Sequence, residues 1–226
     1  MIDKLLDTIA PHICCYCGQQ NAILCEDCYF NIIDEPFARC IGCLSPTLTS
    51  NICNSCRNDL CLDNAWVVGD RTEALKELID AYKFERVKQA GYSIARLLND
   101  RLPTMPEQTT LCYVPDIALH RRQRGYDHMG EIATHLGKLR RMTVTPLLIR
   151  QTHVSQRDLT RTQRLNSQVG AFTVRKDPPS TVIVLDDIYT TGATLRAATI
   201  ALKDSGVETI YGAIVARQPL DERRDL

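Results

Sequence analysis

Two constellations in this 226-residue sequence carry chemistry of their own. The first is Asp186-Asp187-Ile188-Tyr189-Thr190-Thr191-Gly192-Ala193-Thr194. Thr190, Thr191, Gly192, Ala193 and Thr194 run straight into a helical pattern. Backbone N–H groups, hydroxyls and the positive end of a helix dipole therefore converge on one point, which suits a phosphate monoester. Asp186 and Asp187 stand just before this cradle, where carboxylates are awkward unless they face something else, and a ribose diol or a hydrated Mg²⁺ fits. The competing reading is a strand-to-helix turn in which Asp and Thr act as caps. Capping needs one such residue, and here five stand in register. Neither G-x-x-x-x-G-K-[ST] nor G-x-G-x-x-G occurs, which leaves a Walker or Rossmann assignment without residues.

The second constellation is cysteine. Four Cys-x-x-Cys pairs follow one another, Cys14/Cys17, Cys25/Cys28, Cys40/Cys43 and Cys53/Cys56, where a shuffled chain with eleven cysteines would give about half of one. A tight turn lets two thiolates reach one tetrahedral metal, and a second turn completes the four ligands that Zn²⁺ prefers. Taken consecutively, the pairs make two structural Zn sites, a double zinc ribbon. A crossed arrangement, with the first and third pairs on one metal, stays open from sequence. Closed Cys₄ sites are folding staples. Cys15, Cys61 and Cys112 are left over and read as small buried side chains.

These residues need elements to hold them. Val182-Ile183-Val184-Leu185 reads as a strand buried on both faces of a parallel sheet, with the acids at its carboxyl end, where open α/β sheets bind ligands. Strand patterns over 65–68, 110–114, 143–149, 181–185 and 208–215 alternate with helical patterns over 73–83, 87–99, 129–140 and 193–205, and a short amphipathic helix over 2–9 opens the chain. The fold class is therefore α/β, a mostly parallel sheet flanked by helices, preceded by the cysteine module. The division falls at 1–61 for the double zinc ribbon and 62–226 for the α/β domain.

Net formal charge is zero, which excludes a polybasic protein held on nucleic acid by bulk charge alone. Residues 1–61 hold three Lys or Arg against seven Asp or Glu, while residues 119–168 hold ten against three. The anion-attracting surface therefore belongs to the second module, in His120-Arg121-Arg122-Gln123-Arg124 and in Arg150, Arg157, Arg161 and Arg164; a solvated face is the plainer reading of any single arginine. His128 and His153 read as exposed or hydrogen-bonded. The acid-containing start is neither a signal peptide nor a membrane anchor, and no later stretch reaches the roughly 18 apolar residues of a membrane span. Cytoplasmic localisation without membrane insertion follows as the expectation.

Four apolar residues, two acids, then two residues and T-T-G-x-T resemble the phosphoribosyl pyrophosphate loop of type I phosphoribosyltransferases. With Cys14-x-x-Cys17-Gly18, Tyr82-Lys83-Phe84, Val114-Pro115, Arg124-Gly125-Tyr126 and Gln156…Arg164…Asn166…Phe172, the resemblance extends over nearly the whole chain to the ComF family (ComFC, GntX and relatives). Two stretches differ: Arg124-Gly125-Tyr126-Asp127-His128 stands where R-G-F-N-Q is usual, and Asp116-Ile117-Ala118 where P-L-H is. The resemblance implies a type I phosphoribosyltransferase fold behind the zinc ribbon and phosphoribosyl pyrophosphate bound with Mg. It implies Asp186 and Asp187 as catalytic acids on the ribose diol, Thr190 to Thr194 on the 5-phosphate, and Pro115, Asp116, Arg124 and Arg150 toward the pyrophosphate. It further implies a pentosyl-transferring enzyme of unknown acceptor acting in DNA uptake and natural competence, with single-stranded DNA and competence helicase-type proteins as partners. The alternative it leaves open is a single-stranded DNA-binding accessory protein whose phosphoribosyl pyrophosphate site is a sensor or inactive, with Tyr113, Tyr126 and Tyr189 as the stacking platforms near the crevice.

Overall fold

A computed structural model describes residues 12–85, 87–116, 125–151, 170–175 and 177–219. The helix expected over residues 2–9 lies outside these. Four strands form a parallel sheet: β1 (Asn64–Asp70), β2 (Thr110–Tyr113), β5 (Thr181–Tyr189) and β6 (Thr209–Arg217), in the order β1-β6-β5-β2. Two short strands, β3 (Leu148–Arg150) and β4 (Phe172–Val174), make a separate antiparallel ribbon.

The central strand β5 shows why the layers form. Val182 to Leu185 are fully buried, and alternation sends Ile183 and Leu185 to one core and Val182 and Val184 to the other. On the first face pack α3 (Glu73–Phe84), α4 (Gln89–Arg101) and α5 (His128–Arg140). On the second packs α6 (Ala193–Asp204) through Leu195, Ala198 and Leu202. The mixed α/β reading with a parallel central sheet is borne out.

The expected strand over 143–149 is corrected. Only Val144 bridges β2, at Leu111, and the chain leaves the sheet at Pro146, whose nitrogen cannot donate to a ladder. The rest of that run becomes β3. Two helices inside the cysteine module were not anticipated, α1 (Glu26–Asp34) and α2 (Asn54–Leu60). Among the described residues no helix is long and apolar enough to cross a membrane.

The two halves of the cysteine module sit on opposite faces of the sheet. Cys14, Cys25, Cys28 and Tyr29 share the core of α3 to α5, whereas Cys40, Ile41 and Leu60 share the core of α6. On the first face Tyr29 Oη donates to Asp100 Oδ2 at 2.6 Å, and the Arg96 guanidinium lies 4.4 Å from the Tyr29 ring centroid. Arg101 donates to the carbonyls of Ile32 and Glu35 at 2.8 and 2.6 Å. On the second, Arg196 Nε donates to Asp59 O at 2.9 Å and Thr199 Oγ1 to Leu60 O at 2.5 Å.

Candidate functional site

Strand β5 carries both acids to the carboxyl edge of the sheet, and the pleat then separates them. Continuing the alternation, Asp187 turns toward α3 and α5, while Asp186 lies on the α6 side. Asp187 forms an ion pair with Lys83 Nζ, from the last turn of α3. It lies 3.3 Å from His128 Nε2, at the start of α5, and its Oδ1 accepts from Ile188 N–H at 2.5 Å. His128 is completely buried and contacts Asp116 through Nδ1. Asp116, His128, Asp187 and Lys83 thus form one chain of alternating charge.

Burial disfavours the charged imidazolium, yet Asp116 and Asp187, one on each ring nitrogen, raise the His128 pKa above its ordinary value. Burial likewise opposes charge on Asp187, but His128 and Lys83 hold its carboxyl well below the usual carboxylate range. Asp186 goes the other way. Its burial, followed by the nearby negative charge of Asp187, pushes its pKa up to about 7, even though the Asp187 N–H donates to its Oδ1 at 3.0 Å. Among the described residues no cation forms an ion pair with Asp186. The two acids are chemically unlike, one a committed carboxylate and one balanced near neutrality.

Asp186, Asp187, Pro115, Asp116, Arg150 and Thr194 line a cleft of about 150 Å³. Arg150 reaches it from β3, donating through Nε to Pro115 O at 3.0 Å while its guanidinium packs 4.7 Å from the Phe172 ring centroid. Desolvation lowers its pKa against the pull of Asp186, Asp116 and Asp187. Beside the cleft, Gly192 has φ 76° and stands before the first residue of α6, and Arg196 N–H donates to Gly192 O at 2.8 Å to open the helix. The N–H groups of Ala193, Thr194 and Leu195 precede that first helical bond, as donors at a helix start do. Thr190 and Thr191 are exposed. A Cβ at position 192 would come within 2.7 Å of the Tyr189 ring, so both φ and space call for glycine. Arg124, the rest of 120–124, and Arg157, Arg161, Arg164 and His153 lie outside the described residues. A roomier hollow of about 390 Å³, beside Tyr16, Phe37, Asp70 and Glu73, contains none of these groups.

The eight paired cysteines gather as two groups, Cys14, Cys17, Cys25 and Cys28, then Cys40, Cys43, Cys53 and Cys56, with ligand atoms within 4.8 Å of one another. This is the consecutive pairing, not the crossed one. Sulfurs on a tetrahedral Zn²⁺ at about 2.3 Å stand roughly 3.8 Å apart. Cys17 and Cys25 are 3.5 Å apart and Cys43 and Cys53 are 3.6 Å apart, so each group can hold a zinc ion. Cys25 and Cys53 occupy the N-cap positions of α1 and α2. The Ser45 hydroxyl and backbone lower Cys43 to about 6, and burial pushes Cys56 up. Of the unpaired thiols, Cys112 is buried, while Cys15 and Cys61 are half-buried. Burial, then the nearby sulfurs of Cys56 and Cys40, push the Tyr189 hydroxyl up to about 12.

No protein-family model matches the chain. Competence protein F of Haemophilus influenzae is 26% identical over 213 residues, covering 82% of this chain and 93% of that protein. The ComF-type resemblance is borne out. The two stretches that depart from the family pattern meet: Asp116, from one, contacts His128, from the other.

Lys83 and His128 were not among the expected site residues. Lys83 carried a signal, since it falls four residues after the buried Ile79 on the apolar stripe of α3. His128 carried none, because its partners come from elsewhere in the chain. Tyr189, expected as a stacking platform, is buried and closed to a base.

Proposed function

We propose that the cleft binds phosphoribosyl pyrophosphate with Mg²⁺, and that the protein acts as a phosphoribosyltransferase-like component of DNA uptake in natural competence. The observation carrying this reading is the juxtaposition, at the end of β5, of a helix start beside the cleft, an acid pair of unlike protonation, and Arg150. In this reading residues 1–61 are the zinc-ribbon module and residues 62–226 the phosphoribosyltransferase-like domain. The 5-phosphate occupies Thr190 to Thr194, the diol meets Asp186 and Asp187, and the pyrophosphate lies toward Pro115, Asp116, Arg124 and Arg150. When bound, Mg²⁺ would neutralise charge on the pyrophosphate. An acceptor nucleophile attacks the anomeric carbon as the bond to pyrophosphate breaks, with rate gained from positioning and charge stabilisation. The competence role is carried over from the name of the Haemophilus relative.

Calorimetry with Mg²⁺ and phosphoribosyl pyrophosphate on the wild type and on Asp186→Asn/Asp187→Asn tests the site. Loss of binding in the double variant is expected, and equal affinity in both proteins refutes the assignment. Pyrophosphate release with single-stranded DNA, free bases and amines as acceptors then tests turnover. Release no greater than the double variant's background removes the transferase half and leaves a binding protein.

A further inference from the structure

The two cysteine clusters are alike in sequence, but their surroundings differ. The first packs against α4, through Tyr29, Glu26 and the carbonyls of Ile32 and Glu35, and none of these contacts touches the cleft. The second is joined to the phosphate cradle at three places. Arg217, 2% exposed at the end of β6, donates through Nε to Ile41 O at 2.9 Å, inside the Cys40-to-Cys43 turn. The next residue, Gln218, donates its N–H to Tyr189 O at 2.8 Å. The Tyr189 ring lies in one buried cluster with Cys40 and Ile41, and Gly192 rests against it. Finally α2, which contains Cys56, holds α6 through the Asp59 and Leu60 carbonyls.

We infer that the second cysteine cluster, when it holds its metal, sets the geometry of the phosphate cradle through Tyr189 and Arg217, whereas the first cluster has no part in it. Tyr189 and Arg217 are positioning residues: neither lines the cleft, Tyr189 packs against Gly192 beside it, and Arg217 holds the Ile41 carbonyl. The φ of Gly192 and the direction of the first α6 amides are set by the ring beneath them, and that ring is held by a turn that two thiolates and a metal close. This deepens the phosphoribosyl reading and rests on it for the identity of the ligand. The coupling itself is a property of the free protein.

The test uses the full-length chain. Cys17→Ser and Cys43→Ser each remove one exposed ligand, from the first and second cluster respectively. Amide hydrogen exchange is followed at Gln218 and Arg196, the donors to the Tyr189 and Gly192 carbonyls. Exchange about tenfold faster in Cys43→Ser, and within about twofold of wild type in Cys17→Ser, is expected. Equal acceleration in both, or in neither, overturns the inference. Should Cys43→Ser not fold, Tyr189→Ser carries the same measurement with both clusters intact. Tyr189→Phe, which keeps the ring, must then restore wild-type exchange, and failure of that rescue also overturns it. Calorimetry with ribose 5-phosphate completes the set: Tyr189→Ser weakens binding about tenfold, as loss of a preorganised donor set does, and Tyr189→Phe does not. A wild type that ignores ribose 5-phosphate refutes the ligand assignment, while the exchange data still decide the coupling.

Discussion

Asp186→Asn and Asp187→Asn remove adjacent carboxylates, yet the structure predicts opposite effects on the stability of the ligand-free protein. The Asp186 pKa rises from the ordinary carboxylate range to about 7 because the group is buried and stands next to a committed carboxylate. Below about pH 3 it is protonated in folded and unfolded chains alike and imposes no penalty. As pH climbs from there, the unfolded chain releases its proton while the folded one retains it until about pH 7, so stability falls across this window. That loss is on the order of 2 kcal/mol at pH 5 and 4 kcal/mol at pH 8. Asparagine abolishes the titration and can still accept the 187 N–H through its side-chain oxygen. Asp186→Asn should therefore exceed wild type in stability by a few kcal/mol at pH 8 and by clearly less at pH 5. Asp187 is the reverse case, since its depressed pKa contributes stability above the usual carboxylate range that is lost only in strong acid. Removing its charge takes from Lys83, whose side chain is 11% exposed, its ion-pair partner and leaves buried His128 with Asp116. A loss of about 3 kcal/mol follows. Urea denaturation of both variants and wild type at pH 5 and pH 8, without ligand or Mg²⁺, measures this. Equal destabilisation of both variants at pH 8 would refute the claim that the pleat sends the two acids into different surroundings.

Three further outcomes follow from the same geometry. Gly192→Ala places a methyl against the Tyr189 ring at positive φ, and should cost about 2–4 kcal/mol, read as a fall in Tm, while weakening phosphate binding. Gly42→Ala puts a Cβ 2.7 Å from Cys56 Sγ, so metal analysis should find about one Zn²⁺ per chain in place of about two. Lys83→Met leaves Asp187 with His128 as its remaining ion-pair partner among the described residues and should cost about 2–4 kcal/mol in denaturation, of which Lys83→Arg should recover part.

What could be read in the sequence was whatever local chemistry dictates. The apolar run from Val182 to Leu185, its terminal acids and the glycine before α6 identify the strand, the turn and the helix start without reference to the rest of the chain. The cysteine spacings similarly anticipate two four-sulfur groups, although not which pairs combine, since both pairings satisfy the same turns. Helices α1 and α2 escaped because the cysteines dominate their composition, though Glu26 and Asp27 directly after Cys25 are a helix-start signal. Pro146 was visible as a strand breaker inside the run over 143–149. Of the chain of charge from Asp116 to Lys83 only Lys83 left a trace, on the stripe of α3: its members are supplied by α3, α5, β5 and the loop after β2, and only the packing of helices on the sheet brings them together.

The placement of Asn51 gives the cysteine module another role. β1 lies at the border of the sheet, with β6 on one side only. Its outward-facing groups are met by Asn51, whose N–H donates to Ala65 O at 2.7 Å and whose Oδ1 accepts from Val67 N–H at 2.9 Å. Asn51 lies two residues before Cys53, in the loop that the second sulfur group closes. A border strand with unpaired backbone groups is a template for pairing with another chain. Stripping the metals would thus do more than loosen a small module: it would uncover a sticky edge, and the apo protein should be lost to self-association before it is lost to unfolding.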